Sequence, residues 1–210
     1  MIIDTAQNTT RNLIHLQADA VTAVMRYLTS TGSSKLVTPA EAMALGAAGI
    51  RLGLVFENGG GSPGYDDISA EDGRANATFC LNYVSKLGAP QDSTVCIYFA
   101  CDNDFIAPEI TTNVLPYFSA IAEVFDGSPY LVGVYGSGAV CAAVCNPGPA
   151  RYAWLSGSKG WTNSRTYLAA KPSELVLVQD KMDIMFANMD CDTDYSLGEF
   201  GDFLPSAAVA

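Results

Sequence analysis

The sequence contains one histidine, His15, among 210 residues, and that scarcity removes two kinds of chemistry. A Ser-His-Asp or Cys-His triad would have to use His15, which sits in the helix-like stretch Asn12-Leu13-Ile14-His15-Leu16, away from any strand end. Zinc is excluded on the same ground: the six cysteines, at 80, 96, 101, 141, 145 and 191, make no usual ligand spacing with a lone histidine. They lie inside apolar runs and read as buried thiols rather than as a disulfide framework. No metal or other cofactor is expected.

Positive charge is also scarce. Eleven Lys and Arg face 22 Asp and Glu, a formal net charge of -11. That is the wrong sign for neutralising phosphates, so no nucleic-acid partner is expected. No apolar run approaches the roughly 20 residues of a membrane helix, which excludes membrane insertion. The start, Met1-Ile2-Ile3-Asp4, lacks the basic flank and apolar stretch of a secretory signal and reads as a first strand. A location outside the cell, in the envelope or on a virion would need another route. Asn58-Gly59-Gly60-Gly61-Ser62-Pro63-Gly64 lacks the Gly-Lys-Ser/Thr ending of a phosphate loop and reads as a loop over the mouth of the fold. Asp190-Cys191-Asp192-Thr193-Asp194 has acidic spacing like the start of a calcium loop, but Tyr195 and Gly201 stand where glycine and glutamate are required.

What is present is alternation. Short apolar runs predict strands at Met1-Asp4, Ala23-Leu28, Ile50-Phe56, Thr94-Cys101, Leu131-Tyr135, Tyr152-Leu155, Glu174-Val178 and Met185-Met189. Helix starts lie between them at Thr38-Pro39-Ala40-Glu41, Ser69-Ala70-Glu71-Asp72 and Ser137, and an apolar stripe runs from Thr112 to Phe125. Eight strands alternating with helices in one uninterrupted domain, residues 1-210, predict an α/β fold: a single (β/α)8 TIM-barrel-like domain with parallel strands. A doubly wound open sheet is the alternative.

Side-chain parity sharpens the picture. Ile50, Leu52, Leu54 and Phe56 share one face of the third strand, opposite Arg51, Gly53, Val55 and Glu57. On the fourth, Val95, Ile97, Phe99 and Cys101 oppose Cys96, Tyr98, Ala100 and Asp102. If the apolar faces meet helices, the interior faces end in Glu57 and Asp102. Acids recur at strand ends, where barrels keep their sites: Asp4, Glu57, Asp102, Asp104, Asp180 and Asp190. Clustered carboxyls separate one another's pKa values, as an acid/base pair requires, and glycoside hydrolysis needs that pair without a metal. Tyr27, Tyr135 and Trp154 lie near the same ends and suit the apolar faces of sugar rings, while Arg26 and Gln179 can hydrogen-bond hydroxyl or acyl groups.

Ile3-Asp4-Thr5, Val24-Met25-Arg26-Tyr27-Leu28, Val55-Phe56-Glu57, Ile97-Tyr98-Phe99-Ala100-Cys101-Asp102-Asn103-Asp104, Val134-Tyr135-Gly136, Trp154 and Val178-Gln179 follow in an order that resembles the glycoside-hydrolase-like domain-of-unknown-function 1906 family. That family is similar to the family 25 lysozymes, barrels that cleave peptidoglycan. The resemblance implies that Asp102 and Asp104 are an acidic pair, Asp4 the first-strand aspartate and Asp190 an eighth-strand acid near the substrate. The lysozymes carry Asp-x-Glu where this chain has Asp-x-Asp, which retracts the proton donor by one methylene; Glu57 on the neighbouring strand can supply the reach. The implied function is carboxylate-catalysed hydrolysis of peptidoglycan or a related amino-sugar glycan. The alternative is an inactive glycan-binding or structural barrel within a phage particle or secretion apparatus.

Overall fold

In the computed structural model, which describes residues 1–58, 67–92 and 94–206, the strands form a closed eight-stranded barrel with helices outside it. The expected glycine-rich mouth loop, at residues 59–64, falls outside the described residues. In chain order the elements are β1 (Ile2–Asp4), α1 (Leu13–Ala18), β2 (Ala23–Leu28), α2 (Pro39–Ala47), β3 (Arg51–Phe56), α3 (Ala70–Val84) and β4 (Cys96–Ala100). The helical stretch α4 (Ala107–Glu109), a π turn (Ile110–Val114) and α5 (Leu115–Phe125) follows. Then come β5 (Leu131–Gly136), α6 (Gly138–Cys145), β6 (Tyr152–Leu155), α7 (Ser164–Ala170), β7 (Leu175–Phe186) and β8 (Met189–Ser196).

Local chemistry sets the helix starts. Thr38 Oγ1 accepts the Glu41 N–H at 3.2 Å with Pro39 in the first turn, and Ser137 Oγ accepts that of Val140 at 3.2 Å. Ser69 and Asp72 exchange bonds as a capping box. The parity reading holds on both strands. Leu52, Leu54, Phe56, Ile97, Phe99 and Cys101 join the large cluster between barrel and helices, while Val55, Cys96 and Tyr98 belong to a smaller cluster inside the barrel. Phe99 contacts Phe118 and Phe125 of α5 edge-on, at 6.4 and 5.8 Å between ring centres. Each such fully buried side chain contributes about 1.5–3 kcal/mol. Within the barrel, Gly133 makes room for bulk: a Cβ there would lie 2.6 Å from the Tyr98 ring and 2.8 Å from Cys96 Sγ.

The last two strands differ from expectation. Neighbours β1 to β7 pair in parallel, but β8 is antiparallel to both β7 and β1. Met185 lies near the end of β7 and Met189 begins β8, so the predicted strand at 185–189 is a hairpin end. Only Ala187 and Asn188 separate the strands, both with positive φ (50° and 63°), as a two-residue hairpin turn of the primed type requires. A parallel return needs a dozen or more connecting residues. The β7–β8 register also slips around Lys181, next to Asp183 at φ 55°.

After β8 the chain turns under the barrel. Phe203 exchanges both backbone hydrogen bonds with Leu52 (2.7 and 3.0 Å), the Cys96 N–H bonds Gly201 O at 3.0 Å, and the Tyr98 hydroxyl donates to Phe200 O at 2.8 Å. Gly201 has φ 82°, and a side chain there would run into Cys96. The floor is thus sealed by residues 200–203. A chain ending at residue 174 loses β7, β8 and this plug together, exposing both clusters. It is expected to show no cooperative thermal transition; an unchanged melting midpoint would contradict the closed architecture.

All six cysteines are free thiols, and five are buried. Among the described residues, no helix is long and apolar enough to cross a membrane.

Candidate functional site

A cavity of about 270 Å³ opens at the mouth of the barrel, where the parallel strands end. Its walls follow from parity. Asp4, Tyr27, Glu57, Asp102, Tyr135 and Gln179, all expected from the sequence, line it from β1, β2, β5, β7 and the ends of β3 and β4. Asp192 of β8, Met182 of β7, and Ser158 and Trp161 of the loop after β6 complete it. Those four were not expected. Ending the seventh strand at 178 hid the β7–β8 hairpin, and because β8 is antiparallel its first residues, not its last, face the mouth. Trp161 carried one usable signal, its place in a loop that follows a barrel strand.

Gln179 organises the floor. Its side-chain oxygen accepts the Tyr135 hydroxyl at 3.0 Å and the Gly157 N–H at 2.9 Å, while its amide donates to Asp192 at 2.6 Å and Asp4 at 3.2 Å. Asp4 is 3% exposed, and burial together with the Asp192 charge raises its pKa to about 7 despite the opposing Gln179 bond. Behind it sits Asp194, 6% exposed, whose Oδ1 accepts the Trp154 indole N–H at 2.8 Å. Burial and the Asp4 charge push Asp194 well above the carboxylate range. Its Oδ2 is buried with no ordinary donor, and Asp4 is within hydrogen-bond reach. A proton held by either carboxyl can therefore bridge the two.

The other acids have different settings. Burial raises Asp102, with Lys35 opposing. Burial raises Asp192, aided by Asp183, Asp190 and Asp102 and opposed by the Asp183 N–H bond. Glu57 pairs with Lys35 at 3.3 Å, and the same ammonium lies 5.1 Å from the centre of the Tyr27 ring. Burial, followed by surrounding carboxyl charge, holds the Tyr27 and Tyr135 hydroxyls well above their ordinary pKa, so both remain neutral donors.

Three sequence-proposed residues are placed elsewhere, and a fourth has a different setting. Arg26 has the opposite parity to Tyr27 and points outward beneath α2; its Nε bonds Glu41 at 2.8 Å, and its Nη1 donates to Thr5 O at 2.5 Å. Asp104 has left β4, and its Oδ1 accepts the Thr162 N–H at 2.6 Å, outside the cavity lining. Asp190 lies at the exposed start of β8 and lines a neighbouring groove with Asp183. Trp154 reaches the cavity but is 1% exposed, wedged edge-on to Tyr135 at 4.8 Å and Tyr98 at 5.8 Å. It packs the floor, whereas the rings of Tyr27, Tyr135 and Trp161 are partly exposed. Among the described residues, no group of three or more His, Cys, Asp or Glu is arranged to hold a metal ion.

An eight-stranded barrel with this acidic, aromatic-walled mouth is of the glycoside-hydrolase-like class. Over residues 15–185 the chain matches the model of the Rv2525c-like, glycoside hydrolase-like domain, and it belongs to that family. Protein FadG of Bacillus subtilis (strain 168) is 30% identical over 151 residues, 69% of this chain and 26% of that protein. YbfG of the same organism is 29% identical over 128 residues, 57% of this chain and 17% of that protein. The chain thus spans about a quarter or less of these curated relatives. The Mycobacterium tuberculosis Tat-secreted protein Rv2525c, solved with L-tartrate, superposes with a TM-score of 0.78 at 19% identity, covering 96% of this chain and 97% of that one. The modular autolysin LytC of Streptococcus pneumoniae gives 0.60 at 13% identity, covering 92% and 45%. At these identities the structural likenesses are of fold.

Proposed function

We propose that the chain is a glycan-binding barrel that holds a unit of an amino-sugar polymer such as peptidoglycan without cleaving it. The carrying observation is the position of Asp104. The resemblance casts it as proton donor, yet its carboxylate is tied to the Thr162 N–H and does not line the cavity. What lines the cavity suits binding: neutral hydroxyls on Tyr27 and Tyr135, the Gln179 amide, carboxylate acceptors, and the Trp161 ring. The small share that the chain occupies of FadG and YbfG supports a module within a larger protein, and the Tat-secreted relative supports work outside the cytoplasm.

One observation favours hydrolysis as the second reading. Asp4 keeps a proton to about pH 7 beside Asp192, an arrangement of neighbouring acid and base. In that reading Asp4 or Glu57 gives the proton, and Asp102 stabilises developing positive charge.

Soluble peptidoglycan fragments, added to the full chain while tryptophan fluorescence and reducing ends are both followed, separate the readings. Saturable binding without new reducing ends is expected, with Trp161→Ala weakening affinity by about tenfold, as loss of a stacking ring does. Reducing ends that accumulate with the parent and vanish with Asp102→Asn or Glu57→Gln would install the hydrolase instead.

A further inference from the structure

We propose that Asp104 is a positioning residue: its bond to Thr162 holds the loop after β6 in the form that sets Trp161 into the cavity wall. The inference rests on the glycan-binding reading, which uses the Trp161 ring, and adds the group that keeps the ring in place.

Two loops meet at that bond. The loop after β4 is anchored at both ends: the Cys101 N–H bonds Tyr135 O at 2.8 Å, and Phe105, 1% exposed, is seated in the core. Between them the Asp104 N–H donates to Asn103 Oδ1 at 2.8 Å and the Phe105 N–H to Asn103 O at 3.1 Å, which fixes the direction of the Asp104 side chain's backbone. From this base the carboxylate reaches the second loop and accepts the Thr162 N–H at 2.6 Å. A carboxylate accepting from a backbone N–H makes one of the stronger hydrogen bonds.

The place of that bond along the second loop gives it its purpose. The loop's entry is tied to the barrel, where the Ser156 N–H bonds Gly136 O at 3.0 Å and the Gly157 N–H bonds Gln179 at 2.9 Å. Its exit rests on α6, where Thr162 O accepts the Ala139 N–H at 3.0 Å and Ser164 Oγ that of Gly138 at 3.0 Å. Between these ends the backbone bonds among the described residues are local: Lys159 N–H to Gly157 O at 2.7 Å and Trp161 N–H to Ser158 O at 2.9 Å. A Cβ at Gly160 would meet no atom within 4 Å, so the crest stands clear. The Thr162 N–H shares one rigid peptide plane with the Trp161 carbonyl, so Asp104 fixes the backbone of Trp161 itself. Trp161 lines the cavity with Ser158 and Met182, whereas Asp104 does not, and Asp104 therefore acts through the ring and not on the ligand. A wall set before the ligand arrives spares the cost of ordering it on binding.

Acrylamide quenching reads the ring directly in the full chain without ligand, because Trp154 and Trp161 are the two tryptophans and Trp154 is 1% exposed. Asp104→Ala is expected to increase quenching and shift the emission to the red. Asp104→Asn, whose side-chain oxygen can still accept the Thr162 N–H, should stay close to the parent. In a Trp161→Phe background the alanine exchange should leave the Trp154 emission unchanged, which separates a loosened loop from a damaged fold. Soluble peptidoglycan fragments should bind Asp104→Ala about threefold more weakly than the parent or Asp104→Asn, the cost of ordering one side chain on binding. Equal quenching, or equal affinity, in parent and Asp104→Ala overturns the positioning role. An asparagine variant that behaves like the alanine variant overturns it too, as does a change carried by Trp154. Fragments that bind none of these proteins remove the glycan reading instead, and the ligand-free quenching still decides whether Asp104 holds Trp161.

Discussion

Replacing Glu41 with glutamine is expected to destabilise the protein by about 3–5 kcal/mol, the penalty for leaving one member of a buried ion pair uncompensated. Arg26 and Glu41 have no exposed side-chain surface, and Glu41 accepts from Arg26 Nε (2.8 Å) and Nη2 (3.2 Å), the Thr9 N–H (2.8 Å) and hydroxyl (2.9 Å), and Asn8 Nδ2 (3.0 Å). The variant keeps the shape and removes the charge, stranding the guanidinium beneath α2. In a chain of this size the midpoint should fall by about 10 °C or more in a thermal scan. Glu123→Gln is the control: its bridge to Arg74 at 3.0 Å is well exposed, so its loss should cost under about 1 kcal/mol. Equal midpoints for the two variants would contradict the structural role of the Arg26–Glu41 pair. The pair also reaches the cup, because Arg26 holds Thr5 O next to Asp4.

The second large effect is on pH dependence. Asp4 ionises near 3.8 in an unfolded chain and near 7 in the folded one. Between those values the folded state holds a proton that the unfolded state has released, so stability falls as pH rises through that window. The total is on the order of a few kcal/mol. General repulsion in a chain of net charge -11 acts in the same direction, so the informative quantity is the difference from Asp194→Asn. The asparagine oxygen can still accept from Trp154 while its amide donates to Asp4, removing the need for a shared proton. Melting curves of parent and variant should diverge above pH 4, the variant becoming the more stable by neutral pH. Parallel curves would show that the two carboxyls do not share a proton.

Some of this was legible in the sequence, for a physical reason in each case. Alternation along Arg51–Phe56 and Cys96–Ala100 told inside from outside because these strands separate a helix-packed face from an enclosed one, and Glu57 and Asp102 followed as lining residues. The same rule, applied to Ala23–Leu28, excludes Arg26 from the cup, since Tyr27 and Arg26 cannot share a face. Asp104 was beyond its reach, because parity ends with the strand and a loop bond to Thr162 decides its direction. The β7–β8 turn carried no glycine to announce it: Ala187 and Asn188 occupy left-handed backbone that tertiary pairing imposes. With the turn hidden, Asp192 and Asp194 read as loop acids rather than barrel residues. The plug at 200–203 has no periodicity, and only its long-range bonds to Leu52, Cys96 and Tyr98 reveal it.

That plug has a consequence for how the molecule is made. While the chain emerges from the ribosome, β1 to β6 can find their sequential neighbours, yet β1 lacks its second partner and Tyr98 its acceptor until residues 189–203 have been synthesised. Closure joins segments far apart in the sequence, Ile2 against Asp194 and Leu52 against Phe203. Until residues 189–203 have been made, the nascent barrel is therefore an open sheet with an unpaired first edge, and native packing waits on their synthesis.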